Sequence, residues 1–420
     1  MLTQPALPEN LERDAVARLA AHARIDAKTT AALLALLPRI AARPVLEGAA
    51  ITASRRLVEG SMGPALSELA DLLRAETLGE EITLFYLLVA LLEIPIAEER
   101  HRTRGVDPAI SRATWSDLAA WCHYLRKREG RLGMTLEMLA WSQHALTGRL
   151  FRVGSLQFEL EGFSGPLRAY RHRTSGELAL IAMPGVTFSH GRRLIAREPG
   201  PGTWTAGGTF GPGAVHGHRI DEILGTVDEE MVTLSPEMWE IVLCEQDPML
   251  LTHIPADSRV SVHDFSLSVG DAFELFAKLA PGVRPKGVFG VGWLFDPQVR
   301  AFLPGSSAAN DLRALCSLYP GRISELNTVQ RIFGPSATRA SVVALPREGL
   351  SALQKAVADF LSVPENALCT RGGFILEDRL TTLIEAARRR DSTRSRAYLA
   401  SDPSTAHPEP VVPRPGSGRP

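Results

Sequence analysis

Cysteine is scarce in this 420-residue chain, and Cys122, Cys244, Cys316 and Cys369 lie far apart. No Cys-x-x-Cys pair occurs, so the spacing carries no zinc ligand set, dithiol redox motif or disulfide framework. Four free thiols in a reducing, cytoplasmic setting are expected. Net charge is nearly absent too. The 46 Lys and Arg against 47 Asp and Glu leave −1, which argues against general affinity for nucleic acid or an anionic membrane. No apolar run reaches the ~18 residues of a spanning helix. The most apolar stretch, Ile82–Ile96, holds Glu93 and Pro95 and reads as a buried helix. Met1-Leu2-Thr3-Gln4-Pro5 lacks the basic start and apolar core of a signal peptide. Nucleotide and nucleophile signatures are missing as well. The glycines of Gly287–Gly292 are in the wrong order for a dinucleotide loop, Gly207–Gly213 lacks a Gly-Lys-Ser/Thr ending, and no Gly-x-Ser-x-Gly occurs.

What is present divides the chain by periodicity. Its length favours two domains over one core. Residues 1–148 carry apolar positions at helical spacing, as in Leu33, Leu34, Leu36 and Leu37 before Pro38, where the helix should stop. Trp115, Trp121 and Trp141 sit on such helices and read as core. The period changes after Gly148. Leu156, Phe158 and Leu160 alternate with Gln157, Glu159 and Glu161, a strand whose polar face is either solvated or lines a cleft. Hairpin signals follow to Ala182, then a Gly/Pro-rich surface loop over Glu198–Gly213. Further on, a strand is expected near Val329–Phe333, and a last helix ends in Arg388-Arg389-Arg390, where positive charge suits the helix dipole. From Asp391 on, Pro, Ser and Arg dominate, the composition of a disordered tail. The domains are thus 1–148 (helical), 149–390 (α/β) and a 391–420 tail.

Asp247–Leu303 organises the second domain. A strand through Met249–Ile254, a helix to Ala280, a strand over Gly287–Leu294 and a short helix form a crossover unit with parallel strands. Three stretches carry a resemblance: Leu150-Phe151-Arg152-Val153-Gly154-Ser155-Leu156-Gln157-Phe158-Glu159, His253-Ile254-Pro255, and Gly292-Trp293-Leu294-Phe295-Asp296-Pro297. A further echo is Leu353-Gln354-Lys355-Ala356 leading to Arg371-Gly372-Gly373-Phe374. Together they resemble a family of bacterial acyltransferase-domain proteins with a helical N-terminal domain and a GNAT-like (GCN5-related N-acetyltransferase) C-terminal domain built on a mixed sheet.

The resemblance implies an acyl group moved from a CoA-type thioester to an amine or small nucleophile. The two crossover strands would splay at their C-terminal ends. The acyl-CoA donor would then lie against the backbone of Thr252 and Ile254, its pyrophosphate at Arg259 and Ser261 where the next helix begins. His253, ending the first crossover strand, would be the general base, with Glu159 as a catalytic partner; Gln157 and Trp293 would wall the substrate pocket. Against this stands the connection from Pro255 to Phe265, which has no glycine. Ser261 and Asp264 have capping-box spacing instead, taking N–H groups that a phosphate would use. The alternative is a GNAT-like protein without catalysis that binds a small ligand or a protein partner. His216-Gly217-His218 puts two imidazoles on one strand face with no third ligand in view, so no metal is expected.

Overall fold

The computed structural model describes residues 11–401, apart from 61, 77, 190–199, 256, 259, 304–306 and 322–324. The first part of the chain is helical: α1 (Arg13–His22), α2 (Ala27–Ala41), α3 (Pro44–Val58), α4 (Met62–Ala75), α5 (Ile82–Leu92), α6 (Ile94–Thr103), α7 (Pro108–Glu129) and α8 (Leu136–Leu146). Helix α5 is apolar on every side and is wrapped by α1, α2, α3 and α8, so Thr83 through Leu92 are all buried. It ends at Leu92 and α6 begins at Ile94, so the apolar run forms two helices rather than one.

Pro38 does not stop α2, as its sequence suggested. A proline there removes the N–H that would serve the Leu34 carbonyl, and the Arg13 side chain donates to that carbonyl instead, at 3.2 Å. The start of α2 is fixed by Asp26, which accepts from the N–H groups of Lys28 and Thr29 at 3.1 and 3.2 Å.

The chain then enters β1 (Phe151–Val153) and β2 (Leu156–Gly162), and leaves that sheet for β3 (Leu167–His172), β4 (Leu178–Ala182), β5 (Thr187–Ser189), β6 (Thr203–Thr205), β7 (Gly208–Phe210), β8 (Val215–Asp221), β9 (Thr226–Leu234) and β10 (Trp239–Leu243). Two of these, β6 and β7, fall in the Gly/Pro-rich stretch expected to be a loop; the residues of that stretch before Gly200 lie outside the described ones. Pairing with β5 and β8 supplies the ladder bonds that local propensity does not predict.

The chain returns through β11 (Pro248–His253), α9 (Val262–Leu279), β12 (Gly287–Gly292), α10 (Pro297–Phe302), α11 (Ala308–Ala314), β13 (Ser317–Pro320), α12 (Glu325–Phe333), α13 (Arg339–Val343), α14 (Ala352–Leu361), β14 (Arg371–Leu376) and α15 (Glu377–Ser401). The strand expected at Val329–Phe333 is the end of helix α12. Thr328, Val329 and Ile332 form its buried face at helical spacing; α12 packs on α13, and Val329 and Ile332 share a core cluster with Val357, Ala358 and Leu361 of α14. Helix α15 continues past the arginine cluster, and Asp391 pairs with His263 Nε2 at 2.9 Å; residues 402–420 lie outside the described ones.

The main sheet has the order β1-β2-β11-β12-β14-β13. Helices α9 and α15 lie on one face, over Phe151, Leu156, Phe158, Leu250 and Val288. The sheet inserted between β2 and β11 packs on the other, over Met249, Phe289, Tyr319 and Phe374. All pairings within the main sheet are antiparallel except one: β11 and β12 are parallel and pair only at Leu250↔Val288 and Leu251↔Phe289. Beyond that point β11 stays with β2 through His253, and β12 stays with β14 through Gly292. The paired ladder therefore stops along this one seam after Leu251 and Phe289, so the last residues of both strands are paired on their other edges only.

At the mouth of the seam Gly290 faces β11. A Cβ there would lie 3.2 Å from the Thr252 carbonyl oxygen and 3.5 Å from the Phe295 ring. Gly290→Val should lower stability by about 1–3 kcal/mol through overpacking, seen as a lower urea midpoint; an unchanged midpoint would show that the seam has room to spare.

Candidate active site

Alternation along β2 puts Gln157 and Glu159 on the face opposite Phe158, and the antiparallel register sets His253 across from Gln157 and diagonal to Glu159. Neither polar side chain is solvated. Glu159 is 1% exposed and Gln157 3%, because α7 and α8 of the helical domain cover that end of the strand face. From α8 comes His144, whose Nδ1 is 2.8 Å from Glu159 Oε2; His253 Nε2 is 3.3 Å from Oε1. One buried carboxylate thus takes an imidazole on each oxygen, from two domains. Trp141, one turn before His144, stacks on its ring at 4.8 Å and meets His253 edge-on at 4.8 Å.

The electrostatics follow from this arrangement. Burial pushes the Glu159 carboxyl up, but the hydrogen bonds and charge of His144 and His253 outweigh it and hold the pKa at about 2. A permanent carboxylate is an acceptor only, so each histidine presents an N–H to it. For neutral His253 the proton sits on Nε2 and the lone pair on Nδ1, the arrangement of an oriented base. A second buried carboxyl, Asp117 on α7, behaves in the opposite way. It is 7% exposed and receives the Trp121 indole N–H at 3.0 Å, and burial raises its pKa despite Gln157 and Arg152 nearby.

The other expected residues fall around this centre. Thr252 pairs with Phe158 on one edge of β11, and its carbonyl faces Gly290 across the seam. Ile254, just beyond β11, is 46% exposed. Ser261 caps α9: its Oγ accepts the Asp264 N–H at 3.1 Å and Asp264 accepts the Ser261 N–H at 3.3 Å, the capping box that the spacing implied. Arg259 lies outside the described residues. Trp293, in a single turn of 3₁₀ helix after β12, packs against the small cluster of Val299, Val329, Val342 and Val357, and no contact joins it to Glu159 among the described residues. His216 and His218 are engaged with Thr233 Oγ1 at 2.9 Å and the Asp228 carbonyl at 3.1 Å. Among the described residues no group of three or more His, Cys, Asp and Glu side chains is arranged so that it could hold a metal ion.

Sequence reasoning missed His144 and assigned Trp141 to the core. The only available signal was their three-residue spacing on α8, and helical spacing alone does not distinguish a packed face from one turned to a second domain.

A family model of the N-acyltransferase N-terminal domain matches residues 14–148, and one of the GNAT-like C-terminal domain matches residues 150–375, more than half of the chain. The chain belongs to this GNAT-like family. Among solved structures it is similar to an acyltransferase mutant in complex with octanoyl-CoA, at 17% identity and a TM-score of 0.55 over 89% of this chain and 91% of that one. It is equally similar, at 16% identity and a TM-score of 0.55 over the same shares, to an acyltransferase in complex with decanoyl-CoA and teicoplanin. At these identities the likeness is one of fold. None of the curated proteins matches the chain.

A carboxylate whose pKa is lowered on folding stabilises the fold fully above its ordinary value and loses that contribution as pH falls through the folded one. Glu159 should therefore contribute above about pH 4.5 and lose its effect toward pH 2. Glu159→Gln should cost about 1.5–3 kcal/mol at pH 7 and should flatten the acid limb of a Tm-against-pH curve. An acid limb identical to wild type would contradict this.

Proposed function

We propose that the protein is an acyltransferase that moves an acyl group from a CoA thioester to an amine, with His253 as general base. One observation carries the reading: the β11–β12 pairing stops two residues before His253, whose ring is held by Glu159, so a thioester lying along the unpaired strand end would meet an oriented imidazole. The GNAT-like family and the acyl-CoA carried by the structural neighbours agree with this reading.

In the reaction the amine nitrogen attacks the thioester carbonyl, and His253 Nδ1 takes the proton the nitrogen loses. The new C–N bond forms, the C–S bond breaks, and the CoA thiolate leaves as a thiol on taking back the proton from the His253 imidazolium, which restores the base. Glu159 holds His253 in the right tautomer and stabilises the imidazolium that forms, and His144 shares that carboxylate. Trp141 offers an aromatic edge beside the base. The backbone of Thr252 and Ile254 would hold the amides of the pantetheine arm. One structural neighbour is in complex with decanoyl-CoA and teicoplanin; for this chain the reading calls for an amine-bearing small molecule.

A second reading, a GNAT-like protein that binds a ligand or partner without catalysis, draws on the Ser261–Asp264 capping box, which occupies N–H groups at the start of α9.

Isothermal titration with acetyl-CoA and octanoyl-CoA should give micromolar affinity for wild type and for His253→Ala alike. Thiol release in the presence of an amine panel should fall 10²–10⁴-fold in His253→Ala, the usual share of a general base. An absence of acyl-CoA binding at millimolar ligand would remove the donor and favour the second reading.

A further inference from the structure

A cleft of about 660 Å³, within the size range of small-molecule sites, lies on the far side of α7 from its packed face. The α1–α2 turn forms a second wall, and Arg152, Gly154 and Asp257 close it near the connection from β11 to α9. Two carboxylates face it, and both are already paired: Asp26 with Arg126 at 2.6 Å and Asp257 with Arg152 at 3.1 Å. Arg24, Arg112 and His123 also line it, and their side chains have no hydrogen bond or ion pair among the described residues. Arg112 and His123 share one face of α7, with Ala119 and Ala120 between them leaving the floor open.

Arg24 occupies a backbone position that favours glycine. Helix α1 ends in a Schellman motif, in which the Ile25 N–H bonds the Ala20 carbonyl at 2.8 Å and the Arg24 N–H bonds the Ala21 carbonyl at 3.0 Å. The residue between those bonds must be left-handed, and Arg24 has φ of +60°. Glycine is the favoured residue at such a position, and a side chain with a Cβ is disfavoured. Arginine therefore occupies it at a conformational cost, and Arg24 is one of the residues lining the cleft.

We propose that this cleft is a phosphate-binding site built from Arg24, Arg112 and His123, taking either the phosphates of the acyl-CoA donor or a free phosphorylated molecule. Guanidinium forks pair with phosphate oxygens bidentately, and the existing ion pairs spare both carboxylates from repelling an anion. Side chains would then do the work that the glycine-free, capped start of α9 does not offer. The assignment to the donor rests on the acyltransferase reading; the phosphate site itself does not.

The test is titration of the full chain with pyrophosphate, CoA and 3′-dephospho-CoA, comparing wild type with Arg24→Gly and Arg112→Gln. Arg24→Gly should keep or raise Tm, since glycine suits the turn, while weakening pyrophosphate binding at least tenfold; Arg112→Gln should weaken it similarly. A parallel loss for CoA assigns the cleft to the donor, with 3′-dephospho-CoA reporting whether the 3′-phosphate is the group held. A loss for pyrophosphate alone supports a phosphate site for a separate molecule. If CoA fails to bind wild type while pyrophosphate binds, the acyltransferase reading falls and this site stands. Pyrophosphate that does not bind wild type at millimolar concentration, or binds both variants as well as wild type, overturns the proposal.

Discussion

The structure turns on one carboxylate. Glu159 is buried at a domain junction and takes an imidazole on each oxygen, His144 from the helical domain and His253 from the sheet. A buried anion without partners would be expelled or protonated. Two N–H donors keep it ionised and so tie α8 to β2 and β11. The same bonds fix the tautomer of His253, so the contact that joins the domains also orients the proposed base. Trp141 completes the group by fixing the planes of both rings.

The sheet sets where this group can act. A mixed sheet with a single parallel neighbour pair can open at that pair without breaking the rest, since each strand remains held on its other edge. The helices α9 and α15 and the inserted sheet clamp the two faces, so the unpaired part of the seam is confined to the strand ends, where His253 lies. Apolar packing on both sides of the sheet and a ladder that stops partway along its one parallel seam are consequences of one topology.

Much of this was legible in the residues. The crossover unit could be read from Asp247–Leu303, and the alternation of Leu156–Glu161 placed Gln157 and Glu159 together on one face. The capping box at Ser261 and Asp264 was visible as spacing. What could not be read was long-range. Nothing local to α8 shows that His144 and Trp141 face another domain, and nothing local to β2 shows that its polar face is covered. Pro38 looked like a helix end because the Arg13 guanidinium that replaces its missing N–H lies in a different helix. Val329–Phe333 looked extended because four or five apolar and polar residues fit either period; the neighbouring helices decided it.

The most direct test of the account is the protonation of the two imidazoles, read by ¹⁵N NMR of histidine-labelled protein near pH 7.5. The account predicts that His253 is protonated on Nε2 and bare on Nδ1, that His144 carries its proton on Nδ1, and that Glu159→Gln scrambles both. A His253 protonated on Nδ1, or tautomers untouched by Glu159→Gln, would contradict the claim that this carboxylate orients the base.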